Sequence, residues 1–318
     1  MIRVSIVVVN TNHCDLLRQC LTALGKADLP DETEIIVVDN NSQDGSAQMV
    51  EREFATARLI RQTIKNGPAV NYNAGFAVAR GEFLVVLNED AEVTPDALLQ
   101  LYNHMLANPL VAIVGPRLTY PDGRSQACCN RFPGFSSVFK RLILQSFIRG
   151  TWVKNQYCEE VQGQAFEPDW IMATSLMIRK AAIEQVGRYD EQFVVYYEEL
   201  DLCRRLRASG WTVAWLPDAV VRHHHGISNI TLRGERDIAF RALLYQSRYR
   251  YFRKHYGRIY AGAIRFVEAA LFFTFFLKTT LESLIPARRQ TAALKATLYR
   301  MLTCYALSGR GCVTLPQN

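Results

Sequence analysis

Apolar residues in the first 115 positions come in short unbroken runs, separated by stretches with helical spacing. Val4–Val9 (VSIVVV) is β-branched almost throughout, the pattern of a parallel strand buried on both faces. Asp15–Leu24 has helical spacing and stops at Gly25. Glu34–Asp39 (EIIVVD) predicts a second strand, Gln43–Phe54 a second helix and Arg58–Arg61 a short third strand. After Gly81, Glu82–Asn88 (EFLVVLN) predicts a fourth strand. Pro95–Leu106 predicts a helix with Pro95 in its first turn and Thr94 as N-cap, and Val111–Gly115 (VAIVG) a fifth strand. This alternation predicts an open, mostly parallel α/β sheet flanked by helices.

The pattern weakens between Pro116 and Pro168, where Gly, Pro, Cys and aromatic residues follow no period; loops with short helices over a cleft are expected. Regularity returns at Asp169–Ile178 (DWIMATSLMI), followed by a helix over Lys180–Val186 and another over Glu198–Ser209 that ends at Gly210. Trp211–Leu216 and Ala219–Arg222 read as strands. Beyond about Ile230 the chain is helical. Ile259–Leu277 is very apolar but contains Arg265 and Glu268, and its longest uncharged part, Ala269–Leu277, falls short of the roughly 20 residues that a membrane span needs. An interfacial helix with basic flanks fits that pattern better than a crossing one. A cap packed on the sheet is the alternative. The organisation predicted is a catalytic domain over 1–228 (a nucleotide-binding half, 1–115, and an acceptor half, 116–228), then a basic, amphipathic helical region over 229–318.

Charge sharpens that division. The chain carries a net +7, yet from Arg241 to Asn318 there are thirteen Lys/Arg and only two acids, Glu268 and Glu282. The body is therefore mildly acidic and the last quarter strongly basic, which points to an anionic partner surface. No recognition-helix motif accompanies the charge, so nucleic acid is not the expected partner. The eight cysteines form no CxxC pair, and the run Ile6–Val9 is too short for a secretory leader; reduced thiols and a cytoplasmic body are expected.

Ligands of open α/β sheets bind at the carboxyl ends of strands. Here those ends carry Asn10–Thr11–Asn12, Asp39–Asn40–Asn41–Ser42 and Asn88–Glu89–Asp90. No GxGxxG follows the first strand and no GxxxxGK[ST] occurs, which counts against a Rossmann dehydrogenase and a P-loop NTPase. Asn88–Glu89–Asp90 offers oxygen ligands of the kind that suit Mg²⁺ or Mn²⁺ on substrate phosphates; a capping turn is the competing reading. Glu198–Glu199–Leu200–Asp201 crowds three acids at a helix start. The helix dipole and an Asp201–Arg205 pair would account for them, but mutual repulsion also suits one of them to act as a general base. In Arg222–His223–His224–His225, alternation sets His223 and His225 on one face, as structural residues or as metal ligands.

Taken in order, these segments resemble family 2 of the inverting glycosyltransferases, and within it the bacterial rhamnosyltransferase-like branch, over residues 3–228. VSIVVVNTN resembles the family's first nucleotide-binding strand, VVDNNSQDGS its second-strand motif and LNEDAEVTPDAL its metal-binding turn. DWIMATSLMIRKAAIEQVGRYDEQF resembles the acceptor-side strand and helix, YYEELDLCRRLRASGW the acidic motif that carries the base, and LPDAVVRHHHGIS the segment of a late histidine. The resemblance implies the GT-A fold and transfer of a sugar from a nucleotide-diphospho-sugar, such as dTDP-rhamnose or a UDP-sugar, to a lipid-linked or polysaccharide acceptor in surface-glycan synthesis. It implies donor binding by Asn10, Asn12, Asp39, Asn41, Ser42, Asn66, Asn73 and Asn88. It implies Mg²⁺ or Mn²⁺ on Asp90 with His223, an acceptor side of Trp170, Met172 and Ala173, and Glu199 as base beside Glu198 and Asp201. It further implies peripheral attachment to the inner face of the cytoplasmic membrane.

Four positions depart from the family. Glu199 stands where Asp is usual, Glu89 where Pro is usual, and Met172–Ala173 where a small Ser-Gly is usual; Asn66–Asn73 is one residue shorter than its counterpart. These departures keep a catalytically silent, membrane-bound nucleotide-sugar-binding module in view. A nucleotidyltransferase would need a basic Gly-rich loop after the first strand, which Asn10–Leu17 does not offer, and a zinc hydrolase on His223 and His225 would need a third ligand.

Overall fold

A computed structural model describes residues 2–134, 165–224 and 235–309. The chain divides into two compact units: Met1–Phe132, Gln156–Glu191 and Glu198–Ile227 make the first, and Pro133–Asn155, Gln192–Tyr197 and Ser228–Asn318 the second. His225, Cys158, Cys312 and most of the expected 116–168 loop region lie outside the described residues.

The first unit runs β1 (Val4–Asn10), α1 (Cys14–Leu24), β2 (Thr33–Asp39), α2 (Ser46–Glu53), β3 (Arg58–Arg61), α3 (Pro68–Val78), β4 (Phe83–Asn88), β5 (Ala91–Val93), α4 (Ala97–Ala107) and β6 (Val111–Thr119). It continues with β7 (Ser125–Gln126), β8 (Cys129–Asn130), β9 (Trp170–Ile171), β10 (Ser175–Arg179), α5 (Lys180–Val186), α6 (Glu198–Ala208) and β11 (Thr212–His223). The main sheet has the order β3–β2–β1–β4–β10–β6–β11–β5, with β7 on β6, and β8 pairs with β9 separately. β3, β2, β1 and β4 are parallel, as the alternating pattern predicts. Beyond them the sheet is mixed: β10 is antiparallel to both β4 and β6, and β5 to β11. Val4, Ile6, Val7 and Val8 of β1 are fully buried, which is why that run lacks alternation. Leu17, Cys20, Leu21 and Leu24 form the buried stripe of α1 at helical spacing.

Three local readings are corrected. α2 begins at Ser46 rather than Gln43, because the Asp44 carboxylate accepts from the Ser46 amide (3.1 Å) and the Cys14 amide (2.8 Å), and Gly45 is left-handed at φ 84°; residues 43–45 are a turn. Asp96, not Thr94, is the N-cap of α4; the Thr94 hydroxyl instead donates to the Val220 carbonyl at 2.9 Å. The two strands expected at 211–222 are one, β11, with register shifts that accommodate Pro217. The sequence also conceals α3, an 11-residue helix with Pro68 in its first turn. Its Gly, Asn and Val residues are poor helix formers, and packing against β1 holds it. Gly75 allows that approach: a Cβ there would collide with Val7.

The second unit contains α7 (Glu235–Glu282), broken at Gly257 (φ 87°), a 3₁₀ turn over Pro286–Arg288, and α8 (Arg289–Ser308) packed along α7. Ile238, Phe272, Leu298 and Leu302 form its apolar centre. Among the described residues, Ile238–Glu282 is long and apolar enough to cross a membrane by length and composition. That differs from the sequence expectation because only two charges interrupt Ile259–Leu277.

Candidate active site

The site is built at the carboxyl edge of the parallel strands. Register sets Asn10 beside Asp39 and Val9 beside Asn88, so three polar strand ends share one edge. Asn41 and Asn12 both adopt left-handed backbone (φ 56° and 58°), which Asn tolerates better than most residues. These turns lock together. The Ser42 amide donates to Asp39 Oδ2 at 3.1 Å, and Ser42 Oγ accepts from the Asn12 amide (3.0 Å) and from Asn10 Nδ2 (3.1 Å). Asn12 Oδ1 accepts from the Gln43 amide at 2.6 Å. Asn66 serves mainly through its backbone: its amide donates to Asn40 Oδ1 (2.7 Å), and its carbonyl accepts from Asn40 and Asn71.

The turn after β4 is clamped from two sides. The Asn88 amide donates to the Thr174 carbonyl at 3.0 Å, and the His224 amide to the Asp90 carbonyl at 2.9 Å. β11 thereby delivers His223 against Asp90, with Nε2 3.4 Å from Oδ1. On the other side of the ring, His223 Nδ1 lies 2.8 Å from Gln126 Oε1, and in the tautomer that donates from Nδ1 to this oxygen Nε2 is able to act as a metal ligand. Nε2 and Asp90 Oδ1 face each other across 3.4 Å, a separation that suits an ion pair and equally two ligands of one cation. At the ~2.1 Å bonds usual for Mg²⁺ one ion can touch both atoms, so the donor set fits a divalent cation, with Gln126 fixing the ring as an outer partner. Among the described residues no cluster of three or more His, Cys, Asp or Glu side chains completes a metal cage; the remaining positions would fall to water and to the ligand's own oxygens.

α6 carries the acid pair. Glu198 and Glu199 are 6% and 9% exposed, and the Oε2 atom of each has no hydrogen-bond partner. The helix N-terminus favours their charge, but burial outweighs it. Burial pushes Glu199 up to about 7. Glu198 is raised as well, by burial and then by the neighbouring Glu199 charge. α6 packs on β9, so the pair stands next to the strand bearing Trp170, with Met172 and Ala173 just beyond it, both half-buried. Two residues to which the sequence reading gave no role link this pair to the turn. The Tyr72 hydroxyl donates to Asn88 Oδ1 at 2.8 Å, and its ring lies 6.0 Å from that of Tyr189. Burial raises both phenols, and among the acids Glu89, Glu198 and Asp90 press on Tyr72 and Glu199 on Tyr189.

The structure reassigns three of the expected residues. Asp201 is fully buried and paired with Arg205 at 2.8 Å, while Arg205 also binds the carbonyls of Val186, Gly187 and Arg188. It is a clamp between α6 and the end of α5 and has no surface for an acceptor. Asn73 gives Nδ2 to the Tyr189 carbonyl (2.9 Å) and Glu191 (3.0 Å) and takes the Tyr189 amide (3.2 Å), which spends both of its donors inside the protein. Asn10 is fully buried and supports Asp39 and Ser42 from below. Glu89, in place of the family's Pro, is held by His13 at 2.8 Å. Asn40, Tyr72, Gln126 and Tyr189 were missed. Asn40 and Tyr189 lie inside quoted motifs and Tyr72 within Asn66–Asn73, but only their long-range partners reveal them.

Sequence models of Glycosyl transferase family 2 and Glycosyl transferase family group 2 match residues 5–151 and 83–309 respectively. The chain is 27% identical over 206 residues to the N-acetylglucosaminyl-diphospho-decaprenol L-rhamnosyltransferase of Mycobacterium tuberculosis, across 60% of this chain and 66% of that protein, just under two thirds of its length. It is 29% identical over 238 residues to an O-antigen biosynthesis protein of Myxococcus xanthus, across 71% of this chain and 18% of that one. A solved mannosyltransferase from Pyrobaculum calidifontis, in complex with GDP-Man and Mn²⁺, shares the fold at a TM-score of 0.55 and 17% identity, over 97% of this chain and 88% of that chain. The first unit thus has the expected GT-A fold.

Proposed function

Because this chain belongs to family 2 of the glycosyltransferases, we propose that it transfers a sugar from a nucleotide-diphospho-sugar to a hydroxyl of a lipid-linked acceptor, with inversion at the anomeric carbon. One observation carries this reading: a buried carboxyl raised to about 7, with an unpartnered oxygen, stands in the same unit as a strand-edge turn fit for a cation. Such a carboxylate takes a proton from a hydroxyl near neutral pH, which a carboxylate of ordinary pKa does poorly. Glu199 is the base. Glu198 stands beside it, raised by burial and by the Glu199 charge.

Asp39, in the turn fixed by Ser42 and Asn12, meets the nucleotide base. Asp90 and His223 would hold Mg²⁺ or Mn²⁺, which when bound neutralises charge on the leaving diphosphate. Tyr72 fixes Asn88 toward the diphosphate region. Trp170, Met172 and Ala173 receive the acceptor beside α6. The relationship to a rhamnosyltransferase named for a decaprenol-linked acceptor supports dTDP-rhamnose as the first donor to try, with UDP-sugars next. A lipid-linked acceptor places the enzyme at the cytoplasmic face of the membrane.

The test is thermal shift with UDP, dTDP, GDP and CDP, each with and without Mg²⁺ or Mn²⁺, on the wild type and Asp90→Asn. A ligand at 100 times its Kd adds about 2.7 kcal/mol. One nucleotide is expected to stabilise the wild type in a metal-dependent way, and Asp90→Asn to lose that dependence. An equal metal response in the two proteins removes Asp90 from the metal site. Donor binding without turnover would leave the silent binding module as the function.

A further inference from the structure

The apolar run Ile259–Leu277 contains two charges, and both are spent inside the second unit. Glu268, 1% exposed, pairs with Arg248 at 2.8 Å. Arg265 caps the end of α8 through the carbonyls of Ala306 (2.8 Å) and Tyr305 (3.3 Å). What α7 turns outward here is therefore apolar. Ile259, Phe266, Phe273, Leu277 and Leu281 are 92%, 73%, 50%, 47% and 66% exposed, and Leu284, just past the helix end, is 77% exposed. Steps of seven, seven, four and four residues set the helical ones in a single stripe, about 33 Å long at ~1.5 Å per residue. Exposed Arg258 opens the stripe, and exposed Lys278 and Arg289 stand near its far end. From Arg241 onward no described acid is exposed. Soluble monomers rarely leave an apolar patch of this extent uncovered.

We propose that this stripe is a membrane-docking face, on which the second unit lies flat against an anionic bilayer. The apolar side chains enter the boundary between headgroups and acyl chains, and Arg258, Lys278 and Arg289 meet lipid phosphates. The proposal rests on the reading of the acceptor as lipid-linked and names the surface that brings the enzyme to it. Charge complementarity selects the occupant. A second copy would bring the same cations against each other. A crossing helical pair would carry the exposed Lys295 and Arg300 of α8 into hydrocarbon, where charges are expensive.

Flotation of the full-length protein with phosphatidylcholine vesicles, with and without phosphatidylglycerol, tests this. The wild type is expected to float with the mixed vesicles only, and to be released by high salt. Phe266→Glu with Phe273→Glu should lower partitioning at least ~10-fold. Lys278→Gln with Arg289→Gln, which leaves the apolar stripe intact, should lower it about fivefold per charge. Unchanged circular dichroism melting and unchanged nucleotide stabilisation show that each variant is folded with its donor site intact. Equal flotation on neutral vesicles, resistance to carbonate extraction, retained flotation of the Phe variant, or a lipid-free dimer abolished by that variant would each overturn the docking face. Failure of the wild type to float, with its nucleotide stabilisation retained, defeats the docking face alone. Flotation retained without any nucleotide response defeats the transferase reading alone.

Discussion

Replacing Glu199 by Gln is expected to cut turnover at least ~10²-fold and, at alkaline pH, to make the protein more stable. In the folded state Glu199 titrates at about 7, against an ordinary 4.5, because burial penalises its charge. Between those two values the folded state holds a proton that the unfolded state has released, so stability falls as pH rises. At about 1.4 kcal/mol for each pKa unit, the buried charge costs the fold about 3 kcal/mol once pH exceeds roughly 8. Glutamine has no charge to bury, so the variant escapes that cost. Glu198 works in the same direction, since part of its own elevation comes from the Glu199 charge. Urea denaturation of wild type and variant, without metal or nucleotide, measures the difference across pH. The curves should converge near about pH 4.5 and separate by about 3 kcal/mol at about pH 8. Over the same range kcat/KM of the wild type should rise through a pKa near 7 and then level, and the variant should lose at least ~10²-fold in turnover while still binding nucleotide. A variant equally or less stable than the wild type at alkaline pH would refute the buried charge, and surviving turnover would refute Glu199 as the base.

Two further substitutions test the reassigned and concealed residues. Asp201→Ala strands Arg205 beneath α6 and should destabilise the protein by about 3–5 kcal/mol in urea denaturation, with metal-dependent nucleotide stabilisation retained in the folded fraction; loss of turnover at unchanged stability would return Asp201 to the catalytic set. Gly75→Ala drives a methyl group of α3 into Val7 of β1 and should cost about 1–3 kcal/mol; a thermal midpoint equal to that of the wild type would show that α3 does not approach β1 so closely.

The local pattern made β1, β2, β3 and β4 legible because each is a run of apolar residues whose burial needs no knowledge of its neighbours. The turns at Asp39 and Asn88 and the acid pair at α6 were equally plain, since their chemistry lies in adjacent residues. α3 was hidden because its helix is held by contact with β1 rather than by propensity. The antiparallel β10 between β4 and β6 was hidden because strand direction is set by partners, and the alternation of apolar residues is the same either way.

The sequence by itself determined which side chains stand at the strand edge, the family, and the excess of positive charge in the last quarter. Tertiary structure decided how each of those side chains is used. A hydrogen-bonding group has a fixed number of donors and acceptors, and whether they are free depends on residues far along the chain. Asn73 is spent on Tyr189, 116 residues away, and His223 is oriented by Gln126, 97 residues away. Asp201 and Glu199 differ in the same way: one found a half-buried arginine, and the other retained an unpartnered oxygen. The inward turn of Glu268 and Arg265, which leaves an uncharged stripe outside, likewise follows from the packing of α7 on α8, because composition counts charges without saying which way they face.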